Sequence, residues 1–324
     1  MPTGELTLPP VIVIAGSTAV GKTEAAIGVA HKVRVCGWPG AEVVSADSMQ
    51  VYRGLDIGTA KPSLRERAGV PHHLIDIVDP DTPFSVAEWV GLARTVITSI
   101  RERGRVPLVS GGTPLYLEAL LGKYALARGA GPDPAVRARL GRLADTWGLA
   151  YLRGQLETVD PVACARIHPN DRKRTVRALE AYLVAGRPLS QLEREAGAAP
   201  VSVPGPVHYF ALERPKEDLW ARIERRVTQM KEAGLVEEVR ELLDLGYDPR
   251  LPAMQAVGYK EIVGHLRGEY GLDEAVRLIV RNTKRLAKRQ MTWLRGDRRI
   301  RWVKVGMNMQ DSVEDIVTLV GGKA

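Results

Sequence analysis

Eight residues near the start of the chain, Gly16-Ser17-Thr18-Ala19-Val20-Gly21-Lys22-Thr23, have the types and spacing of a phosphate cradle. They fit the pattern G-x-x-x-x-G-K-[ST], in which glycines let backbone N–H groups turn inward around an anion. Lys22 supplies a point charge to a terminal phosphate. The Thr23 hydroxyl is a hard oxygen ligand suited to Mg²⁺. The setting gives the motif weight: an apolar, β-branched run, Val11–Ala15, precedes it, and a helix-forming segment from about Lys22 to Val33 follows. A helix N-terminus aimed at the cradle adds a favourable dipole. A second chemical group stands after the next strand candidate, Glu42–Ala46, where Asp47 lies within SADSMQVY. Parallel strands beside the cradle strand deliver their C-terminal ends to one crevice, so Asp47 points toward whatever Lys22 holds. A water-mediated Mg²⁺ ligand and a general base both suit it there; a helix cap or turn Asp is the structural alternative.

A phosphate loop names no reaction by itself. The third strand candidate, Val106–Val109, runs into Ser110-Gly111-Gly112-Thr113 and not into the acid of a motor-type ATPase, and no Asn-Lys-x-Asp guanine-reading motif occurs. Both absences weigh against an ATPase or GTPase switch. Gly111 and Gly112 permit close backbone approach to a ligand, and Thr113 stands where it can cap the next helix.

The elements that must position these groups read as α/β, with a mainly parallel sheet. Helical signals follow at Ser85–Arg103, where Ser85 and Glu88 have capping-box spacing, and at Thr113–Leu121. Between Gly122 and Ala199 there is no convincing strand; helices are expected over about 133–147, 170–185 and 188–195. AGAAPVSVPGP (196–206) reads as a linker, Val207–Leu212 as a strand, 215–232, 235–245 and 272–294 as helices, and Ile300–Val303 as a short strand. The expected organisation is therefore a phosphate-loop core over 1–122 and 200–324, interrupted by a helical insertion over 123–199.

Composition narrows the class. The 324 residues are 45% hydrophobic and 26% charged, which is an ordinary globular balance. Two cysteines, Cys36 and Cys164, cannot form a four-ligand zinc site or a disulfide framework, so a reducing compartment is expected. No signal peptide or bilayer-length apolar run is present, and the expected location is the cytoplasm. Adjacent His72 and His73 would point to opposite faces of a strand and read as structural.

Net charge is +8, but Arg277–Lys304 alone carries eleven Lys or Arg against Asp297. On the last long helix Arg277, Arg281, Lys284, Arg285 and Lys288 share a face, with Ile279, Leu286 and Trp293 opposite at seven-residue spacing. Arg172, Lys173, Arg174 and Arg177 crowd the start of another helix, against its dipole, a conflict an external anion would relieve. Two separated basic surfaces suit a folded nucleic acid better than a metabolite. Aromatic content of 5% favours local reading of a few unstacked bases over broad stacking.

Nine blocks in order then resemble one family, the bacterial tRNA dimethylallyltransferases (tRNA isopentenyltransferases). They are GSTAVGKT, SADSMQVYRGLDIGTAKP, PHHLID, FSVAEW, SGGTPLY, NDRKRTVRALE, RIERRV, AVGYKE and AKRQMTW. The resemblance implies transfer of a dimethylallyl group from dimethylallyl diphosphate to N6 of the adenosine 3′ of the anticodon (position 37), in tRNAs reading codons that begin with U, with Mg²⁺ and release of pyrophosphate. It implies that Gly16, Ser17, Thr18, Ala19, Val20, Gly21, Lys22 and Thr23 hold the diphosphate, that Thr23 ligates the metal, and that Asp47, Thr18 and Arg226 are catalytic. It implies tRNA contacts at Asp47, Ser48, Met49, Gln50, Thr113, Arg137, Lys173, Arg174, Thr175, Val176, Arg177, Gln255, Ala256, Val257, Gly258, Tyr259 and Lys260. The anticodon stem-loop is the expected partner of a monomer with no membrane association. Arg226 alone would read as a solvated helix residue.

Two departures stand out. Ser17 replaces the proline usual in such loops, and Gly122–Pro134 is longer than is usual, which loosens the alignment at Arg137. Three other readings remain open at this point. A phosphate-loop kinase would leave both basic surfaces idle. An adenylate isopentenyltransferase would label free AMP. A noncatalytic RNA binder would keep its function without Asp47.

Overall fold

The computed structural model describes residues 8–123, 131, 133–197, 203–306 and 308–321. β1 (Val11–Gly16) is buried along its whole length, as its unbroken apolar sequence requires of a strand covered on both faces. It lies inside a six-stranded sheet with β2 (Ala41–Ser45), β3 (His72–His73), β4 (Val106–Gly111), β5 (Val207–Glu213) and β6 (Arg301–Lys304). The order is β3-β2-β4-β1-β5-β6, and every neighbouring pair is parallel. Register pairs Ala15 with Gly111, Gly16 with Leu212, and Ser45 with Ser110. The C-terminal ends of β1, β2 and β4 are thus level, and the cradle, Asp47 and Gly112 leave the sheet at one edge.

The helices are α1 (Lys22–Lys32), α2 (Val86–Glu102), α3 (Pro114–Leu120), α4 (Pro134–Val159), α5 (Pro161–Arg166), α6 (Arg172–Ala185), α7 (Leu189–Gly197), α8 (Lys216–Glu232), α9 (Leu235–Asp244), α10 (Tyr259–Leu266), α11 (Leu272–Leu294) and α12 (Met309–Val320). α2 starts with the expected capping box: Ser85 N donates to Glu88 at 2.7 Å and Glu88 N to the Ser85 hydroxyl at 3.3 Å. Two compact units emerge. One comprises Met1–Thr82, Gly91–Leu117 and Val203–Ala324; the other comprises Pro83–Val90 and Glu118–Ser202. The first holds the sheet, whose Ile12, Ile14, Leu108 and Phe210 pack with Ala25 and Val29 of α1 and with Val313 and Ile316 of α12. The second has its own core of Leu140, Leu152, Leu156, Cys164, Val176 and Leu179 from α4, α5 and α6, with Ile167 just after α5.

Several expected elements differ. The helix expected to stop at 147 continues as α4 to Val159 through a non-helical break at Gly148 (φ 80°). Leu152 and Leu156 beyond the break are buried in the helical core, which draws the chain on. α10 and α12 go beyond the expected helices. α12 is polar in half its residues, but Met309, Val313, Ile316 and Val317 recur at three- and four-residue spacing and are buried. On α11, Trp293 is 37% exposed while Ala275, Ile279, Ala287 and Leu294 are buried. A straight helix drifts against a seven-residue repeat, so by the third repeat the inward position has moved to Leu294.

His72 and His73 are bound structurally: His72 Nδ1 lies 2.8 Å from the Val70 carbonyl, and His73 Nε2 lies 2.7 Å from Glu42, which also accepts from Arg103. Of the expected linker 196–206, residues 198–202 lie outside the described residues, as do 124–130 and Pro132 of the long Gly122–Pro134 segment. No helix among the described residues is long and apolar enough to cross a membrane.

Candidate active site

The cradle forms where β1 meets α1. Gly21 caps α1 with φ 107°, a left-handed conformation that glycine adopts without strain. A Cβ there would also strike Met309 at 2.4 Å. The Lys22 ammonium folds back over the loop and donates to the Ser17 carbonyl at 2.7 Å. Burial lowers the Lys22 pKa from 10.5 to about 8; Asp47 pulls it up and Arg226 pushes it further down. Lys22, Asp47 and Arg226 thus come within electrostatic reach of one another at the sheet edge.

Arg226, which sequence alone places in solvent, is half-buried on α8. Desolvation lowers its pKa, the neighbouring Arg222 adds to that, and Glu66 and Asp47 oppose it. Its i−4 neighbour Arg222 donates through Nε to the Ala19 carbonyl at 2.9 Å, and Arg214 donates to the Val20 carbonyl at 2.9 Å. Two guanidinium groups therefore brace the outer turn of the cradle. Neither was legible as a site residue: Arg222 reads as part of the solvated face of a charged helix, and Arg214 stands in the short segment between β5 and α8.

Asp47 also carries the local role weighed against chemistry: its Oδ1 accepts from Met49 N at 2.9 Å. That leaves Oδ2 for a ligand. Gly111 explains how β4 reaches this point. A Cβ on Gly111 would lie 2.1 Å from the Ala46 carbonyl oxygen, so only glycine lets the two backbones approach. Thr113 serves Ser48, whose backbone N–H donates to the Thr113 hydroxyl at 3.1 Å; that places Thr113 beside the Asp47–Gln50 turn in addition to opening α3. Gln50 is spent holding its own loop, accepting from Ser45 and donating to the Thr59 and Ala60 carbonyls.

The segment Gln255–Lys260 divides by burial. Gln255 and Lys260 are exposed, whereas Gly258 and Tyr259 are buried. The Tyr259 hydroxyl donates to Glu238 at 2.6 Å, and Glu238 also accepts from the backbone N–H groups of Asp56, Ile57 and Gly58. One carboxylate therefore ties the loop after Asp47 to the start of α10.

Within the helical unit, α6 opens with Asp171 as cap, accepting from Arg174 N at 2.9 Å. Its cations are partly matched from inside: Arg172 pairs with Asp145 at 2.6 Å, Arg174 with Asp171 at 3.6 Å and Arg177 with Glu180 at 3.2 Å. The dipole conflict is thus relieved in part without an external anion. Thr175 and Val176 are buried in this unit, so Lys173, Arg174 and Arg177 are the outward groups of the five.

Glu180 is fully buried and accepts from Arg137 at 2.8 Å, from Arg177, and from the Asp133 backbone N–H at 2.9 Å. Two expected tRNA contacts thus share one hidden carboxylate. Removing it in Glu180→Ala strands a backbone donor and two arginines. A loss of about 3 kcal/mol in urea unfolding is expected; a change below 0.5 kcal/mol would show that the carboxylate does not anchor them.

Gln290 completes the site; it lies in AKRQMTW, one of the blocks that carry the family resemblance, but the sequence alone gives it no role. Its Oε1 accepts from Thr18 N at 2.9 Å, and its Nε2 donates to the Gly112 carbonyl at 2.7 Å. The available signal was its place on α11, eleven residues from buried Ile279: three turns on, hence a polar residue on the buried line.

Comparison with known proteins identifies the family. A family model described as IPP transferase matches residues 50–297, and one described as isopentenyl transferase matches residues 9–76. The tRNA dimethylallyltransferase of Desulforudis audaxviator is 50% identical over 297 residues, covering 92% of this chain and 92% of the relative. That of Moorella thermoacetica is 50% identical over 314 residues, covering 95% and 92%. The crystal structure of the full-length tRNA isopentenylpyrophosphate transferase from Bacillus halodurans superposes with a TM-score of 0.69 at 38% identity, over 97% of this chain and 96% of that one. A eukaryotic dimethylallyltransferase acting on tRNA superposes with a TM-score of 0.74 at 28% identity, over 91% of this chain and 74% of that one. With the phosphate cradle on a parallel sheet and these matches over nearly its whole length, the chain belongs to the tRNA dimethylallyltransferase family.

Proposed function

We propose that the protein transfers the dimethylallyl group of dimethylallyl diphosphate to N6 of the adenosine 3′ of the anticodon (position 37), in tRNAs reading codons that begin with U. The observation that carries this reading is Lys22 and Asp47 at the ends of β1 and β2 with Arg226 of α8 within electrostatic reach of both, two cations beside a carboxylate. The C1–O bond of the donor breaks, and its electron pair leaves with pyrophosphate. N6 forms the new bond to C1, and the proton it sheds goes to Asp47. Backbone N–H groups of the cradle, Lys22 and Arg226 spread the charge that builds on the leaving group. Asp47 holds the exocyclic amine and raises its nucleophilicity as the bond forms. Thr18 offers its hydroxyl, since its amide is already engaged by Gln290.

The donor set suits Mg²⁺. The Thr23 hydroxyl and the diphosphate are hard oxygen ligands, and Mg²⁺ commonly takes one or two protein oxygens with the rest from phosphate and water. Among the described residues no group of three or more His, Cys, Asp or Glu lies together, so the protein offers no cage of its own. Thr23 would hold the metal, which supplies further neutralisation of the departing diphosphate. The target adenosine leaves the anticodon-loop stack at modest cost. Arg137, Lys173, Arg174, Arg177, Gln255 and Lys260 supply the cations and polar groups for the stem-loop phosphates. On this reading a single chain carries the whole site and works as a cytoplasmic monomer.

The test is transfer of radiolabel from dimethylallyl diphosphate with Mg²⁺, using unmodified tRNA and free AMP as parallel acceptors. Label is expected in tRNA alone. Label in AMP would reassign the acceptor, and label in neither would overturn the reading.

A further inference from the structure

We propose that Gln290 is a positioning residue for the transfer, fixing the span between the diphosphate cradle and the strand end that carries Asp47. The inference rests on the function proposed above. Its amide spans two elements. Oε1 takes the N–H of Thr18 in the cradle, and Nε2 gives its proton to the carbonyl of Gly112 beyond β4. Only this orientation of the amide satisfies both partners, because a flipped side chain would set N–H against N–H and oxygen against oxygen.

The Gly112 end leads directly to the chemistry. The Thr113 N–H donates to the Ala46 carbonyl at 3.3 Å, and Gly111 lies against Ala46, the residue before Asp47. A Cβ on Gly112 would lie 2.6 Å from Gln290 Nε2 and 3.3 Å from Lys22 Nζ. Gln290 therefore sits beside Lys22 and joins the cradle at Thr18 to the residue just beyond β4, whose neighbours Gly111 and Thr113 meet Ala46. Lys, Arg or a carboxylate in its place would change the charge at the cradle; a neutral amide fixes the geometry and leaves the charge to Lys22 and Arg226.

In-line displacement makes this span matter. N6 must approach C1 opposite the departing oxygen, and an error near 1 Å in such an approach costs on the order of a hundredfold in rate. Loss of the bridge should lower kcat more than affinity for either substrate.

The experiment compares wild type with Gln290→Met, which keeps length and bulk but neither hydrogen bond, in steady-state transfer to tRNA. The expected result is a fall in kcat of about tenfold or more, KM changes below threefold for both substrates, and a melting midpoint lowered by only a few degrees, so that the protein is fully folded at the assay temperature. A Met variant with wild-type kcat overturns the inference alone. Wild type that transfers no label overturns the functional reading and this inference with it. Should the Met variant not fold, Gln290→Glu carries the test. The test with this variant is read at pH 6.5, where Lys22 is protonated in both proteins: the carboxylate cannot donate to the Gly112 carbonyl, so kcat should fall at least tenfold with KM changes below threefold. A wild-type kcat overturns the assignment.

Discussion

Replacing Asp47 with Asn lowers the rate of transfer to tRNA by a hundredfold or more and leaves the protein folded and bound to tRNA. The size follows from the usual range for general acid–base groups, about 10²–10⁴. Asn is the informative substitution because Asp47 does two things. Its Oδ1 holds the turn by accepting from Met49 N, and Asn keeps that acceptor while losing the charge and the basicity. Asp47→Ala removes both roles and should be at least as slow, with some loss of order in the Asp47–Gln50 turn. If the Asn protein transfers at the wild-type rate while the Ala protein does not, Asp47 is a turn residue and the base lies elsewhere. If both are slow and both bind tRNA within about threefold of wild type, the carboxylate acts in the reaction.

The parts of the site that could be read from sequence are those where residue type and local spacing determine the geometry. The cradle is one, since G-x-x-x-x-G-K-T after an apolar strand leaves few backbone solutions. Asp47 is another, because the parallel sheet carries every strand end to the same edge. The groups that were not legible act across long sequence separations. Arg226 looks like a surface arginine until α8 is laid against the cradle, and only then do Lys22 and Asp47 lie near it. Gln290 is 272 residues from the amide it accepts. Glu238 collects three N–H groups from a loop some 180 positions earlier. Glu180 would pass as a helix surface acid, yet it is fully buried beneath two arginines. The boundaries failed where packing overrode local signals, as at Gly148, where a residue with φ 80° interrupts a helix that the core beyond it resumes.

Lys22 gives the second large effect. With its pKa lowered to about 8, kcat/KM for dimethylallyl diphosphate should fall tenfold per pH unit above that value, since on the proposed function the free protein loses the cation assigned to the diphosphate. Lys22→Met should lower kcat/KM by about a thousandfold and remove this alkaline limb, because a half-buried cation at a departing phosphate contributes several kcal/mol to the transition state. The neighbours predict how the limb moves. Asp47 holds the Lys22 pKa up, so Asp47→Asn should shift the limb to lower pH; Arg226 presses it down, so Arg226→Met should shift it to higher pH. A limb that stays in place in both variants would assign the titration to another group. Stability must run the other way. Between pH 8 and 10.5 the unfolded chain still binds the proton that the folded chain has released, so stability rises with pH across that window, by on the order of 2–3 kcal/mol in total. Below pH 8 the folded protein carries the full cost of a desolvated ammonium. Lys22→Met should therefore be more stable than wild type at pH 7 while being nearly inactive, the pattern of a residue kept for its charge and held against the preference of the fold.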